Sequence, residues 1–449
     1  MRDVLARIGP WLEAELAAFV HEAGVPGAAA AAVVHGAPVW SFSYGVADVG
    51  TREPIGVATP MRVGSLTKPI TAATVLLLRE EGRLSLDDPV TMHLAEFSRV
   101  HPAAGSAADD VRVRDLLTHR AGLPGEIHAL DDEHDAYPTM EEILTGLADV
   151  SLVAVPGSAM RYSNLGYQLL GEIVGRTVST PFERYCEERV IVPLQLTSTS
   201  FERPADAASG HRARAFTDHV STAADRRKRT NADGGLWSTA LDQATWIGAH
   251  VDPAGRFREM HGPIEGSDVE DGPGQGLGWF RELRDARTLL YHQGSTPGFA
   301  ARIAFSPSLG GGAVVLTNGE AATTSVLGRI VDVVLDAVQG AVPSEPAPAL
   351  PPLPEPAPYP EAWDELVGFY VWPGSSMLFR LEVRAGRLRL VDLQSPNPVA
   401  LERAGEEAFV ALDGGWAGER VAVRRDADGR VRGLRLGAWA VRRLVEAPA

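Results

Sequence analysis

Lysine is nearly missing from this chain of 449 residues: of its 42 basic residues only Lys68 and Lys228 are lysines. Arginine keeps its proton in any protein environment, whereas a buried lysine can become a neutral base, so the position of each lysine carries information. Cysteine is scarcer still. The single Cys186 excludes an internal disulfide framework and every multi-cysteine metal site. Its neighbours Glu183, Tyr185 and Glu187 supply no activating charge, so it reads as a packed or surface thiol. Long apolar runs are lacking too, and none reaches the ~18 residues that a membrane helix needs. Positive charge is in deficit. A formal net charge of −16 argues against nucleic acid or an anionic membrane as partner.

What is present suits a globular protein. The apolar fraction of 45% provides ample core, and the length calls for two or three domains. Near the N-terminus Ile8, Trp11, Leu12, Leu16 and Phe19 recur at helical spacing, while Asp3, Glu13 and Glu15 interrupt any apolar stretch. This predicts an amphipathic helix in place of a secretory signal, and a cytoplasmic location.

The chain is organised around residues 64–78, GSLTKPITAATVLLL. The apolar run 72–78 covers most of a helix circumference and predicts a core helix, stopped by Gly82. Pro69 is tolerated only in a first turn, which places the helix start at about Ser65. Ser65 then sits at the positive end of the dipole, and Lys68, one turn on, can reach its hydroxyl.

Around that helix the pattern is α+β. Residues 28–34 and 39–44 read as a hairpin through His35-Gly36. Residues 288–292, 300–305 and 312–317 read as consecutive antiparallel strands of one sheet, covered by a helix over 325–338. Helices before and after sequential strands predict an antiparallel sheet flanked by helices, with a helical insertion in its middle, over 1–341. In 342–360 nine of nineteen residues are proline, a stiff extended linker. Over 361–449 six to eight short strands predict a small antiparallel β-barrel. The acidic stretch 126–142 reads as a solvated loop or lid, and the basic run 226–229 as a solvated face. His128 and His134 match no known metal-ligand spacing, so no metal and no cofactor are expected.

Three elements carry chemistry in order: Ser65-x-x-Lys68, Tyr162-x-Asn164 and His292-Gln293-Gly294. Together they resemble the serine β-lactamase and penicillin-binding-protein superfamily, in the Y-x-N form of its class C-like members. The segments 117–124, 156–157, 234–236 and 297–299 extend the likeness over roughly 16–335, and the C-terminal strands resemble a lipocalin-like domain. The resemblance implies an acyl-enzyme on Ser65, with Lys68 and Tyr162 handling protons. It implies that Asn164 orients Lys68 and binds the substrate amide, and that the N–H groups of Ser65 and Ser295 form an oxyanion hole. Gln293, Gly294, Trp237 (as an aromatic wall), Phe299, Arg442 and Arg443 are candidate substrate contacts.

One departure matters. The third motif usually begins with a lysine that pairs with a substrate carboxylate, and His292 is neutral near pH 7 if unperturbed. This shifts the expectation from β-lactams toward a penicillin-binding-protein-type thioesterase, which releases and macrocyclises a nonribosomal peptide from a carrier thioester. The alternative is a hydrolytic esterase or D-aminopeptidase of the same superfamily. The expected partners are a peptidyl or ester substrate and a peptidyl carrier protein.

Overall fold

The computed structural model describes residues 2–126, 138–211, 231–252, 254–263, 274–284, 287–319, 323–341, 345–352, 360–363, 365–372, 378–384, 387–392, 395–405, 407–412, 416–437 and 439–444. The acidic stretch around Asp131 and the basic run 226–229 lie outside the described residues. Contacts divide the chain into two compact units, the second made chiefly of the chain from Pro352 on.

In chain order the first unit contains α1 (Arg2–Ala23), β1 (Gly27–Val34), β2 (Ala37–Gly45), β3 (Met61–Arg62), α2 (Thr67–Glu80), α3 (Val90–His93), α4 (Val113–Leu117) and α5 (Met140–Gly146). These are followed by α6 (Asn164–Val178), α7 (Phe182–Cys186), β4 (Trp237–Ser238), α8 (Ala240–Val251), β5 (Gly274–Gln275), β6 (Phe280–Arg284), β7 (Arg287–Thr296), β8 (Phe299–Ser306), β9 (Gly311–Thr317) and α9 (Thr324–Val338). Seven strands form one sheet in the order β2-β1-β9-β8-β7-β6-β5, with every described pairing antiparallel. The hairpin expected near residue 35 is present; His35 and Gly36 both take positive φ, the two-residue turn that matches strand twist. The chain closes the sheet by pairing its first strand with its last, β1 against β9, which no local pattern announces.

β1 is buried on both faces, and its run of alanines lets α1 and α9 approach one side while α8 approaches the other. Helices and sheet thus form the layered α+β arrangement expected from the sequence. α2 is buried at every position from Thr67 to Leu78 and packs on α6 and α7. Its start differs from the expectation in one respect. Gly64–Leu66 form a tight 3-10 turn and the α-helix begins at Thr67, so Pro69 falls in the first turn, where its missing N–H has no intrahelical partner to lose. Cys186 is buried, and desolvation pushes its thiol up to about 12, an unreactive group.

The second unit is a closed antiparallel barrel of β10 (Gly368–Val371), β11 (Leu378–Arg384), β12 (Arg387–Asp392), β13 (Ser395–Arg403), β14 (Ala408–Ala411), β15 (Arg420–Arg425), β16 (Val431–Leu436) and β17 (Trp439–Arg443). Tyr370, Phe379, Leu390, Phe409 and Leu434 share one buried cluster, so the barrel is packed with its own side chains. The proline-rich stretch is less free than its composition suggests. Trp11 Nε1 donates to the Glu345 carbonyl at 3.0 Å and the Tyr44 hydroxyl donates to Pro351, which ties its described front half to α1 and β2.

One close approach sets the geometry of the first unit. β7 runs against the turn at Ser65 so tightly that a Cβ on Gly294 would overlap the Val63 carbonyl oxygen and come 3.1 Å from Ser65 N. Gly64, at φ +53°, returns the constraint: a Cβ there would lie 2.9 Å from Ser295 N. Gly294→Ala is therefore expected to cost about 1–3 kcal/mol, read as a lower urea midpoint. Gly262→Ala, whose Cβ would meet the Glu259 carbonyl oxygen at 3.8 Å, serves as the control and should not lower it.

Candidate active site

The turn before α2 is held by its neighbours. Thr67 Oγ1 donates to Gly64 O at 2.7 Å, and Val63 N donates to Leu236 O at 3.1 Å. Thr71 Oγ1 donates to Ala232 O at 2.6 Å, so the segment 232–236 lies along the start of α2 and delivers the Asp233 carbonyl to Lys68. Ser65 itself is half-buried and open on one side.

Lys68 has no solvent exposure. Its Nζ lies 2.6 Å from Asn164 Oδ1, 2.6 Å from Asp233 O and 2.9 Å from Ser65 Oγ. The first two partners are oxygens that can only accept, so two N–H groups are committed to them. Only the third partner, a hydroxyl, can also donate. In the neutral amine the remaining position is a lone pair facing Ser65, and in the ammonium it is an N–H. A proton can therefore pass from Ser65 to Lys68 without moving a heavy atom.

Tyr162 and Asn164 reach this point from the start of α6. Ser163 caps that helix, accepting from Gly166 N at 3.0 Å, and donates to Pro124 O at 2.6 Å. The N–H groups of Asn164 and Leu165 donate to Gly125 O. Asn164 thus opens the helix instead of continuing an extended loop, and its amide has both ends engaged: Oδ1 on Lys68, and Nδ2 donating to Glu126 at 2.6 Å. The Tyr162 ring lies 4.9 Å from Lys68 Nζ, and its hydroxyl hydrogen-bonds with Ser65. The residue is 37% exposed, and desolvation of its hydroxyl raises its pKa well above the ordinary phenol value.

His292 stands on β7 beside this group, 2% exposed, its ring 6.5 Å from that of Tyr162. Burial, then the nearby Lys68, lowers its pKa to about 3, so it is an uncharged imidazole at neutral pH. Its Nδ1 faces a carbonyl oxygen, that of Gln293, at 2.8 Å and therefore carries the proton. Ser295 follows two residues after Gln293, its N–H brought next to Ser65 by the Gly64 and Gly294 contact.

Several neighbours of the site were not among the candidate residues of the three motifs. His119 takes positive φ, lies tilted against the Tyr162 ring at 4.4 Å, and accepts from Ser163 N at 3.1 Å, so it orients the Tyr162–Asn164 turn. Burial holds its pKa well below the usual value. Tyr167, Asp233, Glu126 and Phe280 complete the surroundings. The available sequence signal for His119 was its place in the segment 117–124, which shares the family likeness.

The outer candidates separate from this cluster. Trp237 is buried rather than an exposed wall: β3 and Ser200 pair its backbone, Phe299 packs edge-on to its ring, and Arg62 and Arg203 approach the ring. Its flank lines a cleft whose described walls include Arg62, Thr199 and Arg203 but not Ser65, Lys68 or Tyr162. Phe299 is wholly buried. Gln293 projects from the sheet face opposite His292 and accepts from Arg302 Nη1 at 3.2 Å, because side chains alternate along a strand. Gly294 contributes its lack of a side chain. Arg442 and Arg443 lie on β17 of the barrel, where Arg443 donates to Val367 O at 2.9 Å. Among the described residues no cluster of histidine, cysteine or carboxylate ligands could hold a metal ion, and no helix is long and apolar enough to cross a membrane.

Residues 12–335 match the Beta-lactamase family. The chain belongs to that family. Residues 359–443, the barrel, match a domain of unknown function. The Beta-lactamase-family chain is 25% identical over 307 residues to Protein flp of Staphylococcus aureus, a match covering 66% of this chain and 60% of that protein. In fold it is similar to the octameric penicillin-binding protein homologue of Pyrococcus abyssi (TM-score 0.63, 23% identity, 96% of this chain and 98% of that one). It is also similar to the Beta-lactamase/D-alanine carboxypeptidase of Yersinia pestis (TM-score 0.61, 21% identity, 73% of this chain and 99% of that one).

The buried imidazoles set a pH dependence. In the unfolded chain His292 takes up a proton near its ordinary value of 6.5, while in the folded protein it refuses one until about pH 3. Its contribution to stability is complete above about pH 6.5 and is lost as the pH falls through that window. Urea midpoints measured from about pH 7 to about pH 4 should decline, and His292→Asn should flatten the decline. An unchanged slope in the variant would rule out a neutral buried His292.

Proposed function

We propose that this Beta-lactamase-family chain is a serine acyl-transfer enzyme that forms its acyl-enzyme on Ser65. The carrying observation is the Lys68 Nζ to Ser65 Oγ contact of 2.9 Å, with the other two Lys68 hydrogen bonds spent on groups that cannot donate. Ser65 attacks the substrate carbonyl as Lys68 takes its proton. The oxyanion is held by the Ser65 and Ser295 N–H groups, each such donor typically worth ~3 kcal/mol. As the carbon–leaving-group bond breaks, the leaving group takes a proton through Tyr162, whose phenol is replenished from Lys68. The acceptor then attacks the acyl-Ser65, its proton returns by the same route, and Ser65 is released protonated. The raised pKa of Tyr162 makes the phenolate costly, which favours Lys68 as the base and Tyr162 as the relay.

This assignment predicts that intact-mass analysis after a fluorophosphonate shows an adduct in the wild type and none in Ser65→Ala. Lys68→Arg should be nearly as inactive as Lys68→Ala, because a guanidinium cannot accept the proton. An active arginine variant would remove Lys68 from the role of base.

For the substrate we propose a peptidyl thioester whose acyl group passes to an amine, closing a ring. The uncharged His292 supports this, since it offers no fixed charge to a terminal carboxylate such as a carboxypeptidase substrate carries. The same feature supports a hydrolytic esterase or D-aminopeptidase, which differs only in giving the acyl group to water. Linear peptidyl thioesters of mixed chirality, incubated with the protein and resolved by mass spectrometry, separate the two. Cyclic product supports the cyclase, and linear acid alone replaces it with the hydrolase.

A further inference from the structure

Two peptide N–H groups flank Tyr162, and one residue distant in sequence holds both. Arg161 N donates to the His119 carbonyl at 2.7 Å, and Ser163 N donates to His119 Nδ1 at 3.1 Å. Between these bonds the imidazole lies against the Tyr162 ring, with centroids 4.4 Å apart. Phe280 and His292 stand farther from that ring, at 6.2 Å and 6.5 Å. Tyr162 is 37% exposed, so its ring depends on this clamp for its place. The main-chain half of the clamp is indifferent to residue type. The side-chain half needs a lone pair: the Ser163 N–H is buried and must find an acceptor, so Nδ1 stays unprotonated and the ring proton sits on Nε2. Burial, with Lys68 and His292 nearby, keeps the imidazole uncharged, as this requires.

Lys68 is held differently. Its hydrogen bonds run to Asn164 Oδ1, the Asp233 carbonyl and Ser65 Oγ. The backbone of Asn164 is fixed in turn by Gly125 O, which accepts from the N–H groups of Asn164 and Leu165, and Ser163 Oγ donates to Pro124 O. None of these bonds passes through His119. The segment 119–125 therefore grips the start of α6 at two separable points: His119 holds Tyr162, and Gly125 holds Asn164 and through it Lys68.

We infer that the His119 imidazole is a positioning residue for one step of the reaction, delivery of a proton to the leaving group through Tyr162, and that removal of the Ser65 proton by Lys68 does not depend on it. This rests on the acyl-transfer reading of Ser65 with Tyr162 as relay. Losing the acceptor displaces the phenol from the leaving atom, while Ser65 and Lys68 keep their contact. The damage is then graded by the leaving group. An alkoxide departs only as it receives a proton, whereas p-nitrophenolate departs as an anion near neutral pH.

The test uses p-nitrophenyl butyrate and ethyl butyrate, which share an acyl group, and reads kcat/KM, which covers the steps up to departure of the leaving group. His119→Phe keeps a ring against Tyr162 but loses the acceptor. It should lose about a hundredfold on the ethyl ester, the scale of a displaced proton donor, and less than about threefold on the p-nitrophenyl ester. His119→Asn places Oδ1 where Nδ1 stood, tolerates the left-handed backbone, and should recover most of the ethyl-ester loss. His119→Leu, which lacks both ring and acceptor, replaces the phenylalanine variant if that protein does not fold, with the same expectation. Equal losses on the two esters in a folded variant without the acceptor overturn the inference, as does an asparagine variant no better than the leucine one. Tyr162→Phe tests the underlying reading separately and should show the same dependence on leaving group. If it slows both esters alike, or if Ser65 takes no butyryl adduct from the p-nitrophenyl ester, the relay or the nucleophile is wrong and the inference falls with it.

Discussion

Two backbones meet at Ser65 with no side chain between them. Gly64 and Gly294 each lack the Cβ that would hold the turn before α2 away from β7, and the contact is reciprocal, since each glycine abuts the peptide next to the other. Because a strand's side chains alternate, seating Gly294 against Val63 also turns His292 toward Tyr162 and sends Gln293 to the opposite face. The same seating brings the N–H groups of Ser65 and Ser295 together. Ser65, the N–H groups of Ser65 and Ser295, and the third motif are thus positioned by one steric allowance.

Charge in the site is arranged by burial. Desolvation leaves the His119 and His292 imidazoles neutral and raises the Tyr162 phenol, so each of these is held in its uncharged form near pH 7. Lys68 sits among oxygens without formal charge, in a chain whose other cations are overwhelmingly arginines.

Much of this is legible in the sequence. The Ser65–Lys68 spacing, the Tyr162–Asn164 pair and the three sequential strands are local signals, and local periodicity suffices for them. Less legible were the contacts made across long sequence separations: β1 pairing with β9, Asp233 supplying a carbonyl to Lys68, and His119 ordering a turn more than forty residues on. Trp237 shows the typical failure. An aromatic residue after a glycine pair can line a site or fill a core, and the residues that enclose it, Phe299, Arg62 and Arg203, come from three distant segments.

The residues around Ser65 thus divide by the range of the physics that governs them. Helix periodicity, the proline that limits where α2 can begin, and a lysine where arginine is the rule were enough to place from sequence alone a buried helix with a serine and a lysine at its head. Only the tertiary structure decided which oxygens hold Lys68, that both imidazoles are uncharged, and that Asn164 passes its second hydrogen bond to Glu126. Those outcomes depend on burial and on which distant segment supplies each neighbour, and neither is encoded in local spacing.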